Sequence, residues 1–115
     1  MSSYVMYLIL RRDLSTAFKW PFGAVATQAA HAASAVMWMF KDDPNTVEYT
    51  KDLDHMHKVL LGVDSEEALL EVKAKLESKN LDHKVWIEDD MPVCIALKPY
   101  PKETAKDAVR SLKLF

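Results

Sequence analysis

Continuous apolar runs and alternating segments divide the chain into candidate strands. Residues 4–10 and 93–97 are apolar throughout, which is typical of strands buried on both faces of a sheet. Residues 58–63 read as another strand, and residues 84–88 alternate between an apolar face and a wetter one. The pattern therefore predicts central strands at 4–10 and 93–97, and a strand nearer the sheet edge at 84–88.

Segments with helical spacing separate these strands. Apolar side chains recur every three or four positions through residues 23–40, which predicts a long first helix with Pro21 in its first turn. The polar, proline-containing residues 42–45 end this pattern. A short second helix is expected over residues 46–53.

Two further helices complete the predicted order of elements. Asp64, three residues before Glu67, predicts the capping box of a third helix. A last helix is expected from Pro101 to about Leu112. Strands and helices in this order predict an α/β fold with a mixed four-stranded sheet.

Length and charge bound the function of the chain. Its 115 residues are enough for one domain, residues 1–115, with a core of its own. The net charge of -2 is unlike the strongly basic balance of proteins that bind nucleic acid mainly by neutralising phosphates. Any contact with RNA must therefore be local.

The sequence carries no sign of a membrane or export segment. The apolar run 4–10 is too short to span a bilayer, and Arg11, Arg12 and Asp13 follow it at once. Cys94 is the only cysteine, which excludes an internal disulfide and fits a reducing compartment. We therefore expect a cytoplasmic protein without membrane association.

Several kinds of catalytic chemistry are excluded by what the sequence lacks. The two glycines, Gly23 and Gly62, belong to no phosphate-binding motif. No Gly-x-Ser-x-Gly motif is present, and Cys94 lies in a buried strand, where a thiol is inert. His55 and His57 lack an established third ligand, so we expect no metal site.

The alanine-rich first helix presents two polar side chains on one face. Gln28 and His31 are three residues apart, so they are neighbours on the helix surface. Such a pair can position water or a substrate group. A buried, hydrogen-bonded amide and a core histidine would give the same pattern, so both interpretations stay open.

Asp89 is the third candidate for a catalytic role. It follows a predicted strand in a loop, where functional residues concentrate, and lies between Glu88 and Asp90. A carboxylate in such a loop can act as a general base. A solvated acidic turn is the alternative interpretation of the same residues.

The order of longer motifs resembles the type II peptidyl-tRNA hydrolases over essentially the whole chain. The resemblance is carried by the motifs Arg11-Arg12-Asp13-Leu14, Gly23-Ala24-Val25-Ala26-Thr27-Gln28-Ala29-Ala30-His31-Ala32, Lys58-Val59, Ile87-Glu88-Asp89 and Lys113-Leu114-Phe115. Their peptidyl-tRNA hydrolase domain-containing branch is resembled most, through Trp20-Pro21-Phe22-Gly23-Ala24, His83-Lys84-Val85-Trp86-Ile87-Glu88 and residues 94–103. Order and spacing together make this resemblance specific.

The resemblance implies a fold and an activity. The fold is a mixed four-stranded sheet with helices on both faces, usually in a homodimer. The activity is hydrolysis of the ester that joins a peptide to the 3′ end of tRNA, without a cofactor, so the implied partner is peptidyl-tRNA. Gly23, Gln28, His31 and Asp89 match functional positions of the family.

Two departures from the family leave a second hypothesis open. Ala24 occupies the position of a family lysine, and Val93 aligns with one of two family threonines. No hydroxyl side chain lies between Glu88 and Lys98. The chain is therefore either a hydrolase that acts without these groups or an inactive relative that binds RNA or protein.

Cations near predicted strand ends and entry loops form a candidate contact surface for tRNA. We predict that they make a local patch despite the negative net charge. The residues of this predicted patch are Arg11, Arg12, Lys19, Lys58 and Lys84.

Overall fold

The sheet is built around its central strand, β1 (Tyr4–Arg11). The computed structural model describes residues 4–115. β1 pairs in parallel with β2 (Lys58–Val63) and antiparallel with β4 (Met91–Leu97). β3 (His83–Glu88) pairs antiparallel with β4 and lies at one edge of the sheet. The predicted central and edge positions of these strands are confirmed.

Two very short strands extend this sheet. β5 (Tyr100–Pro101) pairs with the start of β1, and β6 (Lys113–Leu114) pairs antiparallel with β2. The order across the sheet is β3-β4-β1-β2-β6. The predicted α/β fold with a mixed sheet is confirmed, with the two short strands added to the four that were expected.

Four helices follow the predicted order, and a short helix directly after β1 was not predicted. The helices are α1 (Asp13–Thr16), α2 (Phe22–Met39), α3 (Pro44–Thr50), α4 (Glu66–Ser78) and α5 (Lys102–Val109), with a 3-10 turn at Leu53–His55. The helix predicted at 46–53 begins earlier, at Pro44, because Asp43 caps it, and ends at Thr50. α5 ends earlier than predicted because the chain turns to form β6. No helix within residues 4–115 combines the length and the apolar character that crossing a bilayer requires.

Apolar side chains of the sheet point into two separate cores. On one face, Ile9 and Ile95 pack with residues of α4 and α5, such as Leu69 and Ala105. On the other face, Leu8, Leu10 and Cys94 belong to a second core with residues of α2 and α3. Alternation along a strand sends successive side chains to opposite faces, so a continuously apolar strand serves both cores. Helices on both faces are therefore confirmed.

The start of α4 differs from its prediction by one residue. Ser65, not Asp64, is the N-cap, and its hydroxyl accepts a hydrogen bond from the backbone N–H of Ala68 at 3.1 Å. Asp64 is exposed and lies 3.5 Å from the guanidinium of Arg12. Both Asp64 and Ser65 have side chains that can cap a helix. Ser65 caps α4, and Asp64 pairs with Arg12 instead.

One end of the sheet, called the hairpin end below, holds most of the candidate residues. In the parallel pair, Arg11 lies opposite Val63, so both strands end there. The turn between β3 and β4, Asp89 and Asp90, lies at the same end because β4 runs antiparallel to β1, with Cys94 near its start opposite Leu10 near the end of β1. The guanidinium of Arg11 donates to the backbone oxygen of Pro92 at 3.0 Å, which joins the two strand ends directly.

At the opposite end of the sheet, the buried Lys98 forms an ion cluster with two more accessible carboxylates. The Nζ of Lys98 lies 2.7 Å from Asp43 and 2.9 Å from Asp82, and Lys98 is only 7% exposed. The hydrogen bond from Lys98 holds the pKa of Asp43 below its ordinary value. Burial lowers the pKa of Lys98, but its bonds to the two carboxylates outweigh this effect and raise it. Asp43 also caps α3, so the cluster links that helix to the loop before β3.

Candidate functional site

A shallow depression lies where the start of α2 meets the hairpin end. Its volume is about 270 Å³, and it is lined by Trp20, Pro21, Ala24, Gln28, Glu88 and Asp89. Two of the three predicted catalytic residues, Gln28 and Asp89, therefore line one depression. A larger depression of about 360 Å³, near Met39 and His83, contains none of the predicted site residues.

The first turn of α2 leaves backbone donors beside this depression. Pro21 is the N-cap, and none of the described side chains caps the helix. The first helical N–H groups lack acceptors within a helix, and the helix dipole places partial positive charge there. Gly23 is exposed, and a Cβ at this position would meet nothing within 4 Å. The helix start is therefore open to a ligand with a negatively charged oxygen.

Gln28 forms the buried wall of the depression. It is 5% exposed, and its Nε2 donates to the backbone oxygen of Ala24 at 2.9 Å. Its Oε1 accepts a hydrogen bond from the indole Nε1 of Trp86 at 3.1 Å. The amide thus has two partners within the protein, as expected for a residue held rigidly in place.

Trp86 and Glu88 belong to this site although the sequence analysis did not select them. The same indole N–H also donates to a carboxylate oxygen of Glu88 at 3.0 Å. Residues two apart on a strand share one face, and this spacing is the signal that could have identified the pair. The β3 face toward α2 therefore contributes a tryptophan donor and a carboxylate.

His31 lies next to the depression but does not line it. Its ring stacks on Trp86 with 4.6 Å between centroids and 14° between planes. His31 itself is exposed. It therefore contacts the site through Trp86, and it is not a core histidine.

Asp89 is an exposed residue of a tight turn. Asp89 and Asp90 have φ angles of 51° and 62°, in the left-handed region. Two such residues in succession form the primed turn that joins antiparallel strands through two residues. The turn carries the Asp89 carboxylate at the rim of the depression, next to Glu88.

An irregularity in β4 accounts for the position of Val93. Ile87 pairs with Pro92 and Trp86 with Cys94, so Val93 is an extra residue in the ladder. Val93 and Cys94 are both fully buried in the core beneath α2. Burial raises the pKa of the Cys94 thiol to about 12, so this cysteine stays protonated and inert.

The five cations of the predicted patch occupy different environments. Arg11 is 3% exposed, and its guanidinium donates to Asp13 at 2.8 and 2.9 Å and to Glu66 at 3.3 Å. These bonds raise the pKa of Arg11, with the hydrogen bond to Asp13 as the main cause. Its donors are used inside the protein, so it presents little charge to a ligand.

Two of the cations are accessible at or near the hairpin end. Lys19 is exposed, lies directly before Trp20, and has a φ of 57°. Arg12 is half-buried, donates to the backbone oxygen of Leu114 at 2.6 Å, and lies over the ring of Phe115. Lys19 is therefore the more available of the two.

Lys58 and Lys84 lie apart from these residues. Lys58 is the first residue of β2 and pairs with Met6, five positions before Arg11. At about 3.3 Å per residue, this separates Lys58 from the hairpin end by roughly 17 Å. Burial lowers its pKa, and its ammonium lies 5.5 Å from the Tyr49 ring centroid. Lys84 pairs with Ala96, which is also toward the opposite end.

Comparisons with known proteins agree with the motifs. A family model described as "Peptidyl-tRNA hydrolase PTH2" matches residues 4–115. Proteins named "Putative peptidyl-tRNA hydrolase PTRHD1" from Mus musculus and Homo sapiens are each 44% identical over 114 residues. Each alignment covers 96% of this chain and 81% of the relative.

A solved structure shares the fold. The protein of unknown function Atu0240 from Agrobacterium tumefaciens strain C58 superposes with a TM-score of 0.67. The match covers 100% of this chain and 99% of the other, at 15% sequence identity. At this identity the likeness concerns the fold alone.

Proposed function

Because the chain belongs to the PTH2 family of peptidyl-tRNA hydrolases, we propose that it hydrolyses the ester between a peptide and the 3′ end of tRNA. The observation that supports this proposal is the depression at the start of α2. There, Ala24 and Gln28 of the first turns of α2 line the same open depression as Asp89, and no described side chain caps the helix start.

The proposed reaction is the attack of water on the ester carbonyl carbon. Asp89 accepts a proton from the water as the new C–O bond forms. The negative charge that develops on the carbonyl oxygen is stabilised by N–H groups at the start of α2 and by Gln28. The bond to the 3′ oxygen of tRNA then breaks, and that oxygen takes the proton that Asp89 accepted from the water.

Geometry must contribute much of the rate in this proposal. Ala24 has only a methyl group where the family lysine would add a positive charge, and Val93 has no hydroxyl. Fixed backbone dipoles need no reorganisation as charge develops, so they stabilise it even without a side-chain cation. A rate below that of a lysine-containing relative is expected.

We further propose that Lys19 contacts a tRNA phosphate close to the depression, because it is exposed and directly precedes Trp20, which lines it. Arg12 is left out because its guanidinium is engaged by Leu114 and Asp64 on the β2–β6 side of the sheet, away from β3. Arg11 is left out because its donors are bonded to Asp13, Glu66 and Pro92. Lys58 and Lys84 are left out because their positions on β2 and β3 are toward the other end.

Turnover of peptidyl-tRNA by the purified protein tests the proposed function. Wild-type protein should release free peptide and tRNA faster than a mock purification and faster than the Asp89→Asn variant. Activity equal in all three samples would refute it. Sedimentation of the same sample tests the homodimer, and localisation of a tagged protein tests the expected cytoplasmic placement.

A second candidate function is an inactive relative that binds tRNA. The observation that favours it is the lining of the depression, which includes Ala24 and the two carboxylates Glu88 and Asp89 but no side-chain cation from residues 4–115. Binding of tRNA without any turnover would support this second function.

A further inference from the structure

The indole N–H of Trp86 contacts two side chains that line the depression. Its Nε1 lies 3.1 Å from Oε1 of Gln28 and 3.0 Å from Oε1 of Glu88. Gln28 is buried on α2 and Glu88 lies on β3. A single donor therefore links the helix side of the depression to its strand side.

The partners of Gln28 determine which way its amide points. The indole N–H of Trp86 can only donate, so the amide oxygen must face it. The backbone oxygen of Ala24 can only accept, so the amide nitrogen must face that atom. Exchange of the amide oxygen and nitrogen would break both bonds, and the amide is thereby fixed in one orientation.

This orientation leaves one N–H donor of Gln28 for a ligand. Of the two hydrogens on Nε2, one serves Ala24, and within residues 4–115 the other has no acceptor. The amide oxygen faces the indole N–H of Trp86. In the depression, Gln28 therefore offers a donor, which suits a carbonyl oxygen or an oxyanion.

We propose that Trp86 is a positioning residue that fixes Gln28 as the hydrogen-bond donor to the carbonyl oxygen of the scissile ester. This inference rests on the proposed hydrolysis. Without the indole N–H, the amide can rotate and turn its oxygen toward the developing negative charge. Trp86 itself touches no reacting atom and acts through Gln28.

Packing keeps the indole in place for this role. His31 stacks on the ring at 4.6 Å, and the ring packs against the core beneath α2. The irregularity in β4 places Cys94 opposite Trp86. The donor therefore has a fixed position from which it can orient a neighbouring amide.

A double-mutant cycle separates action through Gln28 from action through Glu88. Trp86→Phe keeps an aromatic ring but removes the indole N–H donor, and it should lower kcat about 10-fold or more with KM changed less than about 3-fold. In a Gln28→Leu background, the same change should cause no further loss. In a Glu88→Gln background, it should still lower kcat by the full factor.

Three results of this cycle would overturn the proposal. An unchanged kcat in Trp86→Phe, or the same loss with and without Gln28, overturns the proposal. Loss of the effect only in the Glu88→Gln background also overturns it, because Trp86 would then act through the carboxylate. Trp38→Phe is the matched control, because Trp38 is 74% exposed near the far end of α2.

Nuclear magnetic resonance tests the same contact without turnover and with Trp86 intact. Gln28→Leu should move the indole N–H resonance of Trp86 and speed its exchange with solvent, while that of Trp38 stays in place. An unmoved Trp86 resonance overturns the proposal even if Trp86→Phe fails to fold. A moved resonance in a protein that hydrolyses no peptidyl-tRNA refutes the hydrolysis and the catalytic role of this contact, while the contact itself is established.

Discussion

Asp89 and Asp90 are consecutive residues with left-handed backbones, at φ 51° and 62°, and only the first lines the depression. Asparagine tolerates this conformation as well as aspartate does. Asp89→Asn therefore removes a proton acceptor and keeps the turn. We expect turnover of peptidyl-tRNA to fall about 100-fold or more, with thermal stability little changed.

Asp90→Asn is the matched control for this prediction. It makes the same chemical change at the neighbouring left-handed position, so turnover should stay near that of the wild type. Hydrolysis undiminished by Asp89→Asn would remove Asp89 from the mechanism. If the protein only binds tRNA, Asp89→Asn should tighten binding by deleting a negative charge from the rim.

Ala24→Lys tests whether the start of α2 accepts a cation. Ala24 is half-buried and borders the depression, so the lysine side chain can extend into solvent. We expect normal folding and faster turnover, because the ammonium stabilises negative charge in the transition state. Ala26→Lys, an exposed position on another face of α2, should leave turnover unchanged. A loss above about 2 kcal/mol of unfolding free energy in Ala24→Lys would contradict an open cleft.

Val93→Thr should restore a family hydroxyl without restoring activity. Val93 is fully buried beneath α2 and does not line the depression. A buried hydroxyl without a partner costs about 1–3 kcal/mol, which urea titration measures. The same change at half-buried Val85 should cost less than about 1 kcal/mol. Faster turnover with unchanged stability would place Val93 at the reaction centre instead.

Charge reversal of Lys19 should weaken tRNA binding in a salt-dependent way. Each phosphate contact contributes a slope of about -0.7 to -0.9 to the dependence of log affinity on log salt. We expect Lys19→Glu to flatten this slope by nearly one contact. Lys58→Glu, at the opposite end of the sheet, should leave it unchanged. Equal effects of the two variants in filter-binding titrations would contradict the proposed contact.

Asp43→Asn should destabilise the protein in a pH-dependent way. The pKa of Asp43 is lowered in the folded state, mainly by the hydrogen bond from Lys98, so its ionised form stabilises the fold. This stabilisation is fully present above the ordinary value of 3.8 and is lost as pH falls through the lower, folded-state pKa. The variant should lose about 2 kcal/mol at pH 7 and match the wild type in strong acid.

Urea unfolding at pH 7, 5, 3 and 2 measures this difference. Asp42→Asn is the control, because Asp42 is exposed and pairs with Lys41 at the surface. A stability gap between Asp43→Asn and wild type that stays constant down to pH 2 would contradict the role of the ion cluster.

Apolar patterning was sufficient to predict the main strands and the long helix. Residues 4–10 and 93–97 have too many consecutive apolar side chains for a one-sided strand, and both proved to be central. β6 was not predicted because Lys113 and Leu114 gain strand geometry only from β2, which is distant in sequence. The hydrogen bond that Arg12 donates to the backbone oxygen of Leu114 is a second contact of β6 with a residue far away in the sequence.

The candidate site was only partly accessible to sequence reasoning. Gln28 and Asp89 were selected from local context, and the structure places both at one depression. Arg11 was expected at the surface, because the partners that bury its charge include Glu66 and Pro92, far along the chain. The donation from Trp86 to Gln28 spans 58 positions, so no local pattern indicates it.

The central place of β1 has a consequence for how the chain folds. The antiparallel partners of this first strand are β4 and β5, which are made only when the chain reaches residues 91–101. Contacts of such long sequence separation form slowly, because a long loop must close first. During synthesis the apolar run 4–10 therefore remains without its antiparallel partner strands, and in that state it is exposed to aggregation or chaperone binding. The nascent protein cannot complete its sheet before the segment that carries β4 and β5 has emerged.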